Sequence, residues 1–490
     1  MLYWRWGLAT VCLFFCGGVR GEQPGRPNIV LILADDLGWH DLGCYGHPWF
    51  ETPHLDRLAE EGLRMTRAYA AAPICSASRA GLLTGKTPAR LGFEFVTKSK
   101  PGLQPVDAPL HAPPYTLALP LQEVTIAESL RDANYQTAFF GKWHLNPHYQ
   151  HYLGWSPTHG PKAQGFDIAE EDFGGHPYSY YSDKSQRPFL ELAEGEFPAD
   201  SMTERAVKFL QSQQPQTEAG RPFFLMVSHF YVHTPVHTRI RWLYDRSRDR
   251  IPVNHPRRDA LARYGAMVAT LDHLVGRVLK TLEETGLADD TLVVFTSDNG
   301  GHPAYAGNAP LRGSKWNLYE GGIRVPCLVR WPSHIPEHSV SDTPVSSLDL
   351  FPTFAQLANA RLPADTDGCS WEPWLLDPTA SLDSRPLLWH FPYYHPEGTF
   401  DSAPGLIGVD DGVTSQTRPH SAWQSGPWKL LHFYEDQRDE LYHLPSDPAE
   451  QRDRVQTDPE TASQLRQTLD RTLQSQHARF PTREAPPTNH

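Results

Sequence analysis

Oxygen-bearing side chains directly follow two apolar runs that lie far apart in the sequence. Asp35 and Asp36 follow residues 28–33, and Asp298 and Asn299 follow a second run of the same kind. Carboxylate and amide oxygens are the ligands that Ca²⁺ and Mg²⁺ prefer, whereas Zn²⁺ prefers Cys and His. Either pair alone is as typical of a helix cap or a turn. Two pairs at one edge of a sheet would instead form a site for a hard divalent cation.

A cysteine stands just before a predicted helix, in the stretch PICSASRAGLLTG that spans residues 73–85. The dipole of that helix and the nearby Arg79 would lower the pKa of the Cys75 thiol and make it reactive. The alternative is a buried structural cysteine with no chemical role. The residues of this stretch leave both interpretations open.

Five short apolar runs are each followed at once by polar or glycine-rich residues, at 28–33, 137–140, 223–227, 291–296 and 325–329. Runs without alternation predict strands that are buried on both faces of a parallel sheet. Helical patterns lie between them, including residues 52–62 and a long apolar stripe over residues 257–284. In a doubly wound sheet, ligands bind beyond the carboxyl ends of the strands. We therefore expect the polar residues after all five runs to meet at one mouth, unless they are merely polar loops.

The residue pattern changes after about residue 386, where short aromatic runs replace the longer apolar runs. Short aromatic runs at residues 387–390, 428–434 and 440–444 predict hairpin strands, and residues 459–478 predict a closing helix. We expect a larger domain over residues 26–385, a smaller subdomain over residues 386–480 and a frayed tail over residues 481–490. A chain of 490 residues is long enough for two such cores.

Charge and the N-terminus restrict the class of protein. A formal net charge of -13 with scattered basic residues argues against a nucleic-acid partner. Arg5 followed by the short apolar stretch 7–16 predicts a signal peptide over residues 1–21, with a membrane anchor as the alternative. That stretch is shorter than the roughly 20 residues that a spanning helix needs. We expect a periplasmic or secreted protein without stable membrane insertion.

The stretch around Cys75 resembles the signature of the type I formylglycine-dependent sulfatases, which belong to the alkaline phosphatase-like superfamily. In that signature a Cys or Ser is followed by x-Pro/Ala-x-Arg and a Leu-Thr-Gly run. The likeness continues in the family's order at residues 35–38, 141–144, 233–235 and 297–300, at Lys315, and at residues 428–430 and 440–442. Ala77 departs from the Pro of many members. With Ala at this position, oxygen-dependent maturation by a formylglycine-generating enzyme would be inefficient. The resemblance therefore implies an anaerobic sulfatase-maturating enzyme that tolerates Ala as the partner, with a formylglycine-generating enzyme as the alternative.

The resemblance implies a fold and an activity. The fold would be α/β, with a large mixed, mostly parallel sheet flanked by helices and a smaller C-terminal α+β subdomain that carries an antiparallel sheet. The activity would be hydrolysis of sulfate monoesters on a saccharide, as in a bacterial carbohydrate sulfatase. Cys75 would be converted to 3-oxoalanine (formylglycine). Ca²⁺, or else Mg²⁺, would be held by Asp35, Asp36, residue 75, Asp298 and Asn299.

The resemblance also implies roles for the side chains around residue 75. Arg79 and the metal would lower the pKa of the nucleophile, and His144 would take a proton so that sulfate can leave. Lys142, His233 and Lys315 would hold the sulfate oxygens, and one of the last two would protonate the leaving oxygen. Taken alone, each of these residues could equally be a loop histidine or a surface lysine.

Five further histidines are candidates for substrate contact, since imidazoles recognise sugar hydroxyls: His229, His237, His302, His390 and His395. Ordinary packing at a domain junction is the alternative for those in the aromatic run 389–395. Two other functions stay open. A phosphonate or phosphate monoester hydrolase could use the same scaffold, and a protein with unmodified Cys75 could bind sulfated glycans without turnover.

Overall fold

The computed structural model describes residues 25–104, 108–180, 187–332, 334–377, 385–394 and 418–483. The predicted signal peptide, His395 and residues 484–490 of the predicted tail lie outside the described residues. The strands are β1 (Asn28–Ala34), β2 (Leu63–Tyr69), β3 (Gln136–Gly141), β4 (Ile168–Glu170), β5 (Phe223–Ser228), β6 (Thr291–Ser297), β7 (Arg324–Arg330), β8 (Ser339–Ser341), β9 (Val345–Ser346), β10 (Leu387–Phe391), β11 (His420–Ser425), β12 (Trp428–Phe433) and β13 (Arg438–His443).

The helices connect these strands and pack on both faces of the larger sheet. They are α1 (Pro53–Glu60), α2 (Cys75–Thr84), α3 (Pro88–Leu91), α4 (Ile126–Asp132), α5 (Ser201–Gln211), α6 (Gln214–Glu218), α7 (Arg241–Arg250), α8 (Arg258–Glu284), α9 (Glu320–Ile323), α10 (Leu350–Leu357), α11 (Glu372–Leu376) and α12 (Pro459–Ser475). Within the residues described, no helix is both long enough and apolar enough to cross a membrane.

The larger sheet has nine strands in the order β4-β3-β5-β1-β6-β7-β2-β8, with β9 beside β2. β1 lies in its middle and pairs in parallel with β5 and β6, so that Val30 is in register with Leu225 and Val293. β7 alone runs antiparallel to both of its neighbours, β6 and β2. The sheet is therefore mixed and mostly parallel, as predicted.

The direction of β7 corrects one expectation. Its apolar run is buried as predicted, but the strand ends at the edge opposite to the ends of β1, β3, β5 and β6. The polar residues that follow it do not join the mouth. Arg330 there lies 3.2 Å from a carboxylate oxygen of Glu61, and Trp331 stacks on His334. A run that is buried on both faces looks the same whichever way the strand runs, so its composition does not encode direction.

Side chains of β1 alternate between two cores. Ile29, Leu31 and Leu33 belong to the core on the face covered by α2, α4 and α10. Val30 and Ile32 belong to the core on the other face, with α1, α5 and α8. Burial on both faces makes the sheet a rigid frame for the loops at its edge.

The second sheet is antiparallel, in the order β10-β11-β12-β13. One face packs on α12, where Leu469 and Leu473 meet Leu430 and Leu441. The other face packs on the larger unit, with Trp389 among the buried residues of that core. β11 was not predicted, because its sequence HSAWQS has few apolar residues.

Candidate active site

The carboxyl ends of neighbouring parallel strands bring polar residues to one edge of the larger sheet. Asp35 follows β1, Lys142 follows β3, His233 lies in the loop after β5 and Asp298 follows β6. Cys75 is the first residue of α2, which the chain reaches from the end of β2. These are the positions at which a doubly wound sheet binds its ligands.

Three carboxylates and three cationic side chains form a buried cluster around Cys75. We call this group the strand-end cluster, and its members are Asp35, Asp36, Arg79, Lys142, Asp298 and Lys315. The amine of Lys142 lies 2.6 Å from Oδ2 of Asp35, and the amine of Lys315 lies 2.7 Å from Oδ2 of Asp36. Charges removed from water must be paired in this way to be tolerated.

Arg79 joins three strand ends through its guanidinium group. Its Nε and Nη2 atoms each lie 2.8 Å from Oδ2 of Asp298. Its Nη1 atom donates to the carbonyl of Lys142 at 2.8 Å and to Oγ of Ser228 at 2.6 Å. Since the fork is planar and its Nε and Nη1 atoms both donate, Arg79 ties these three loops together beside Cys75.

The oxygen atoms of this edge fit a hard divalent cation. Ligand atoms of Asp35, Asp36, Cys75 and His233 all lie within 4.8 Å of one another, and the described residues contain no other such group of His, Cys, Asp and Glu. The side-chain nitrogen of Asn299 donates to Oδ1 of Asp36 at 2.8 Å, but its buried Oδ1 atom has no hydrogen-bond partner among the residues described. A cation that binds Oδ1 of Asn299 would supply the missing interaction.

The protonation of Cys75 differs from the prediction. Burial raises the pKa of the Cys75 thiol well above its usual range, and the cationic Lys142 and Lys315 offset this only in part. The predicted lowering of the thiol pKa is therefore wrong, because loss of hydration outweighs the helix dipole and nearby charges. The sulfur lies 3.5 Å from Oδ1 of Asp35 and 3.7 Å from Oδ1 of Asp36.

The sequence matches a known family over most of its length. The family described as Sulfatase matches residues 27–360, and one described as N-sulphoglucosamine sulphohydrolase, C-terminal, matches residues 314–408. The chain belongs to the sulfatase family. It is an enzyme of the sulfuric ester hydrolase class, and it has the alkaline phosphatase-like architecture that the motifs around Cys75 implied.

Curated relatives and a solved structure agree with this assignment. Arylsulfatase A of Homo sapiens is 35% identical over 82% of this chain and 76% of the relative. N-acetylgalactosamine-6-sulfatase of Canis lupus familiaris is 34% identical over 76% of this chain and 70% of the relative. The crystal structure of Ps i-CgsB in complex with k-i-k-neocarrahexaose superposes with a TM-score of 0.69 at 26% identity, covering 91% of this chain and 93% of that chain.

Two predicted histidines flank the strand-end cluster of this sulfatase. Nε2 of His233 lies 3.6 Å from Oδ2 of Asp36, and its Nδ1 lies 2.6 Å from the hydroxyl of Tyr178. Burial, with the nearby charge of Lys315, lowers the pKa of His233 to about 3. Burial and then Lys142 hold the pKa of His144 well below its usual range. Both imidazoles are therefore neutral near pH 7.

Glycines allow the loop after β6 to pack closely at the site. A Cβ atom added at Gly300 would overlap the carbonyl oxygen of Gly321, and Gly300 donates to the carbonyl of Gly322 at 2.9 Å. His302 in the same loop lies close enough to Asp36 and Lys315 to feel their charges. His302 therefore lies near the Asp36 and Lys315 side of the cluster, and its contact with substrate stays a prediction.

The other candidate substrate histidines that the structure describes, His229, His237 and His390, lie elsewhere. His229 is fully buried beside Asp200, so a substrate does not reach it in this structure. His390 is buried in β10, where its ring nitrogens lie 2.6 Å from Oγ of Ser421 and 2.9 Å from the carbonyl of Arg479. His390 is thus a satisfied structural residue of the second sheet. His237 lines a separate cavity of about 210 Å³.

Sequence reasoning missed the aromatic residues beside the site. Tyr178 contacts His233, and Tyr152 packs edge-on against Tyr178 with 5.7 Å between ring centroids. Both lie in the long loop region between β3 and α5, whose shape no strand or helix pattern encodes. Ser228, the last residue of β5, was also missed, although its position at a strand end was a usable signal.

Proposed function

We propose that this sulfatase hydrolyses sulfate monoesters on saccharides, with the nucleophile at residue 75 and Ca²⁺ held by Asp35, Asp36, Asp298 and Asn299. One observation carries the proposal. The strand-end cluster surrounds the Cys75 sulfur with three carboxylates and three cations, and the Oδ1 atom of Asn299 beside it lacks a partner. A divalent cation added to three balanced charge pairs leaves a net positive site, which suits an anionic ester.

Two groups would complete the site. A bound Ca²⁺ would supply fixed positive charge and favour loss of a proton from a hydroxyl group beside it. Formylglycine at position 75 would supply, as its hydrate, the hydroxyl nucleophile that a thiol with a strongly raised pKa does not offer. The Ca²⁺ preference follows from the ligand set, which is rich in oxygen and includes an amide.

The chain's own cations would stabilise negative charge. Burial opposes the charged form of Lys315, but Asp36 beside it raises the pKa of the amine well above its usual range. Lys142 is held in the same way by Asp35. Charged donors fixed next to residue 75 would bind the sulfate oxygens as charge develops on them, which is commonly the largest catalytic contribution.

His144, His233 and Lys315 are the candidates for proton transfer and hydrogen bonding in the site. The neutral His144 imidazole can accept a proton, and its Nδ1 atom has no hydrogen-bond partner among the residues described. His233 and Lys315 both lie on the Asp36 side of the cluster. The charged amine of Lys315 suits protonation of the leaving oxygen, whereas the neutral His233 would hydrogen-bond to a sulfate oxygen. The contacts of Tyr178 and of the Thr234 carbonyl with Nδ1 of His233 fix the orientation of that ring.

Saccharide specificity is supported by the relatives. One curated relative is named for N-acetylgalactosamine 6-sulfate, and a similar structure contains a neocarrahexaose. We extend the proposal to an exported enzyme, with a signal peptide over residues 1–21, a catalytic domain over 26–385 and a subdomain over 386–480. Its maturation partner would accept Ala77, either a formylglycine-generating or an anaerobic sulfatase-maturating enzyme.

The test uses the full chain co-expressed with such a maturating enzyme. Mass spectrometry of the peptide with residue 75 should show formylglycine, and the protein should hydrolyse p-nitrophenyl sulfate far faster than p-nitrophenyl phosphate. Cys75→Ala should lose turnover completely while its thermal unfolding stays unchanged. Cys369→Ala, which replaces an exposed cysteine, is the matched control and should keep wild-type turnover.

Calcium dependence is part of the same experiment. EDTA should abolish turnover and excess Ca²⁺ should restore it. Turnover by Cys75→Ala would overturn the assignment of the nucleophile. Faster phosphate hydrolysis would favour the phosphate or phosphonate alternative, and an unmodified, inactive wild-type protein would favour a glycan-binding protein.

A further inference from the structure

Five aromatic rings form an arc along one side of the site. The arc runs from His144 through His148, Tyr152 and Tyr178 to His233, with successive centroid distances of 5.9, 4.8, 5.7 and 5.8 Å. At one end His144 is the proton acceptor proposed above, and at the other end Nε2 of His233 lies 3.6 Å from Oδ2 of Asp36. The arc therefore borders the strand-end cluster.

Tyr152 is the exposed member of this arc. The residue is 52% exposed, whereas the other four are buried or half-buried. Its hydroxyl is nevertheless close enough to Cys75, Lys142 and Lys315 to feel their charges. The side chain thus lies at the margin of the site, in contact with Tyr178, and leaves ring surface open to solvent where a ligand could contact it.

The surroundings of Tyr152 suit a sugar ring better than a broad apolar group. Its neighbour His151 pairs with Glu171, and Gln150 is exposed. A pyranose has an apolar face of C–H groups and a rim of hydroxyls. One aromatic face with polar groups beside it matches that combination, since a rigid ring offers contact area at low entropic cost.

We propose that Tyr152 is the platform on which the pyranose ring that carries the sulfate stacks. This inference rests on the proposed sulfatase function and names the part of the substrate that the sulfate site does not bind. Tyr178 is the positioning residue of the platform, because it contacts the Tyr152 ring and fixes His233. Stacking acts equally on ground state and transition state, so it contributes to KM and not to kcat.

The test uses the matured enzyme and the best substrate from a panel of sulfated chondroitin, heparin and carrageenan oligosaccharides. Tyr152→Ala should raise the KM for that saccharide about tenfold, which corresponds to about 1.4 kcal/mol, with kcat within about twofold. Tyr152→Phe should retain the wild-type KM, because stacking needs the ring and not the hydroxyl. The inhibition constant of inorganic sulfate should stay the same in both variants.

The matched control is Tyr149→Ala, since Tyr149 is 43% exposed on the same loop but does not belong to the arc. It should leave both constants unchanged. Equal effects of the two alanine variants, or parallel losses in kcat and sulfate inhibition, would assign Tyr152 a structural role and overturn the proposal. A wild-type enzyme that hydrolyses p-nitrophenyl sulfate but no saccharide would overturn it while leaving the sulfatase chemistry intact. Failure on every sulfate ester would overturn the proposed function itself.

Discussion

Two buried groups of charged residues differ in how the hydrogen-bonding capacity of their polar atoms is filled. The first is the strand-end cluster, and its member Lys315 lies only five residues before Glu320 of the second group. The second group, which we call the junction cluster, consists of Glu320, Arg324, Lys429 and Glu450 and joins the two sheets. Both contain carboxylates paired with cations in a core that excludes water.

The junction cluster is closed by neutral donors. Lys429 lies 2.9 Å from a carboxylate oxygen of Glu320 and 2.9 Å from one of Glu450. The hydroxyl of Tyr69 donates to Glu320 at 2.9 Å, and the backbone N–H of Glu320 donates to Glu450 at 2.6 Å. These contacts give each charge a partner across the junction, so the group helps to hold the two sheets together.

At the strand-end cluster, two buried polar atoms have unfilled hydrogen-bonding capacity. Oδ1 of Asn299 and Nδ1 of His144 are buried without a hydrogen-bond partner among the residues described. Asp36 and His144 also have left-handed backbone conformations, with φ of 62° and 56°. Glu450 of the junction cluster has a left-handed conformation too, with φ of 51°, so backbone conformation does not separate the clusters. The difference is that Oδ1 of Asn299 and Nδ1 of His144 have no partner of any kind among the residues described, whereas Oε1 of Glu450 lies 2.9 Å from the amine of Lys429.

The largest expected effect is a loss of folding stability when the junction cluster is broken. Lys429→Met leaves Glu320 and Glu450 buried with Arg324 as the remaining cation nearby, at 3.4 Å from Glu320. Breaking a buried ion pair from one side costs about 3–5 kcal/mol, so the urea midpoint should fall sharply. Lys280→Met, on the exposed surface of α8, is the control and should change the free energy of unfolding by less than about 0.5 kcal/mol. Equal midpoints would show that the junction cluster does not stabilise the fold.

The second effect separates the clusters by activity. Lys315→Ala should lower kcat/KM for p-nitrophenyl sulfate about 100-fold or more, because a fixed donor to developing charge is lost. Because Asp36 then loses its buried partner, the melting temperature should fall as well, so kcat/KM is compared well below both midpoints. Lys86→Ala removes another ion-paired lysine, bonded to Glu123 and Asp365, and should affect stability without changing kcat/KM. If both lysine variants lose activity alike, Lys315 has no special role in turnover.

The smallest effect concerns pH. Burial raises the pKa of Glu450 above its usual range, with Lys429 opposing the shift and Glu320 adding to it. Because the folded state then holds the proton more tightly than the unfolded state, the stability contributed by Glu450 is lost as pH rises from its unfolded pKa to its folded one. Glu450→Gln does not titrate, so its melting temperature relative to the wild type should increase between pH 5 and pH 8. A constant difference would contradict the raised pKa.

Much of the architecture could be predicted because the apolar composition of a segment indicates whether that segment is buried. Four unalternating runs became β1, β3, β5 and β6, and the long apolar stripe became α8, whose predicted face is buried. β2 was missed, because its sequence LRMTRAY mixes apolar with charged residues at the margin of the sheet. An apolar run does not show which way its strand runs in the sheet, and the antiparallel direction of β7 was therefore not predicted.

Some features of the candidate site could likewise be predicted from the sequence, and others could not. Residues within motifs, such as Arg79 and His144, could be proposed for the site, because the motifs lie at strand ends that meet at one edge of the sheet. Tyr152 could not be assigned, since it depends on the path of a loop without regular structure. The pKa of Cys75 depends on the depth of burial, which a helix start does not reveal.

The reversal of β7 makes the segment between β6 and β7 unusual. It leaves the sheet at Ser297 and re-enters at Arg324 on the same side, so one uninterrupted stretch brings Asp298, Asn299, His302 and Lys315 to residue 75. A parallel crossover would have had to return the chain to the opposite side. A single connection between two adjacent strands therefore supplies four of the side chains of the proposed site without crossing the sheet.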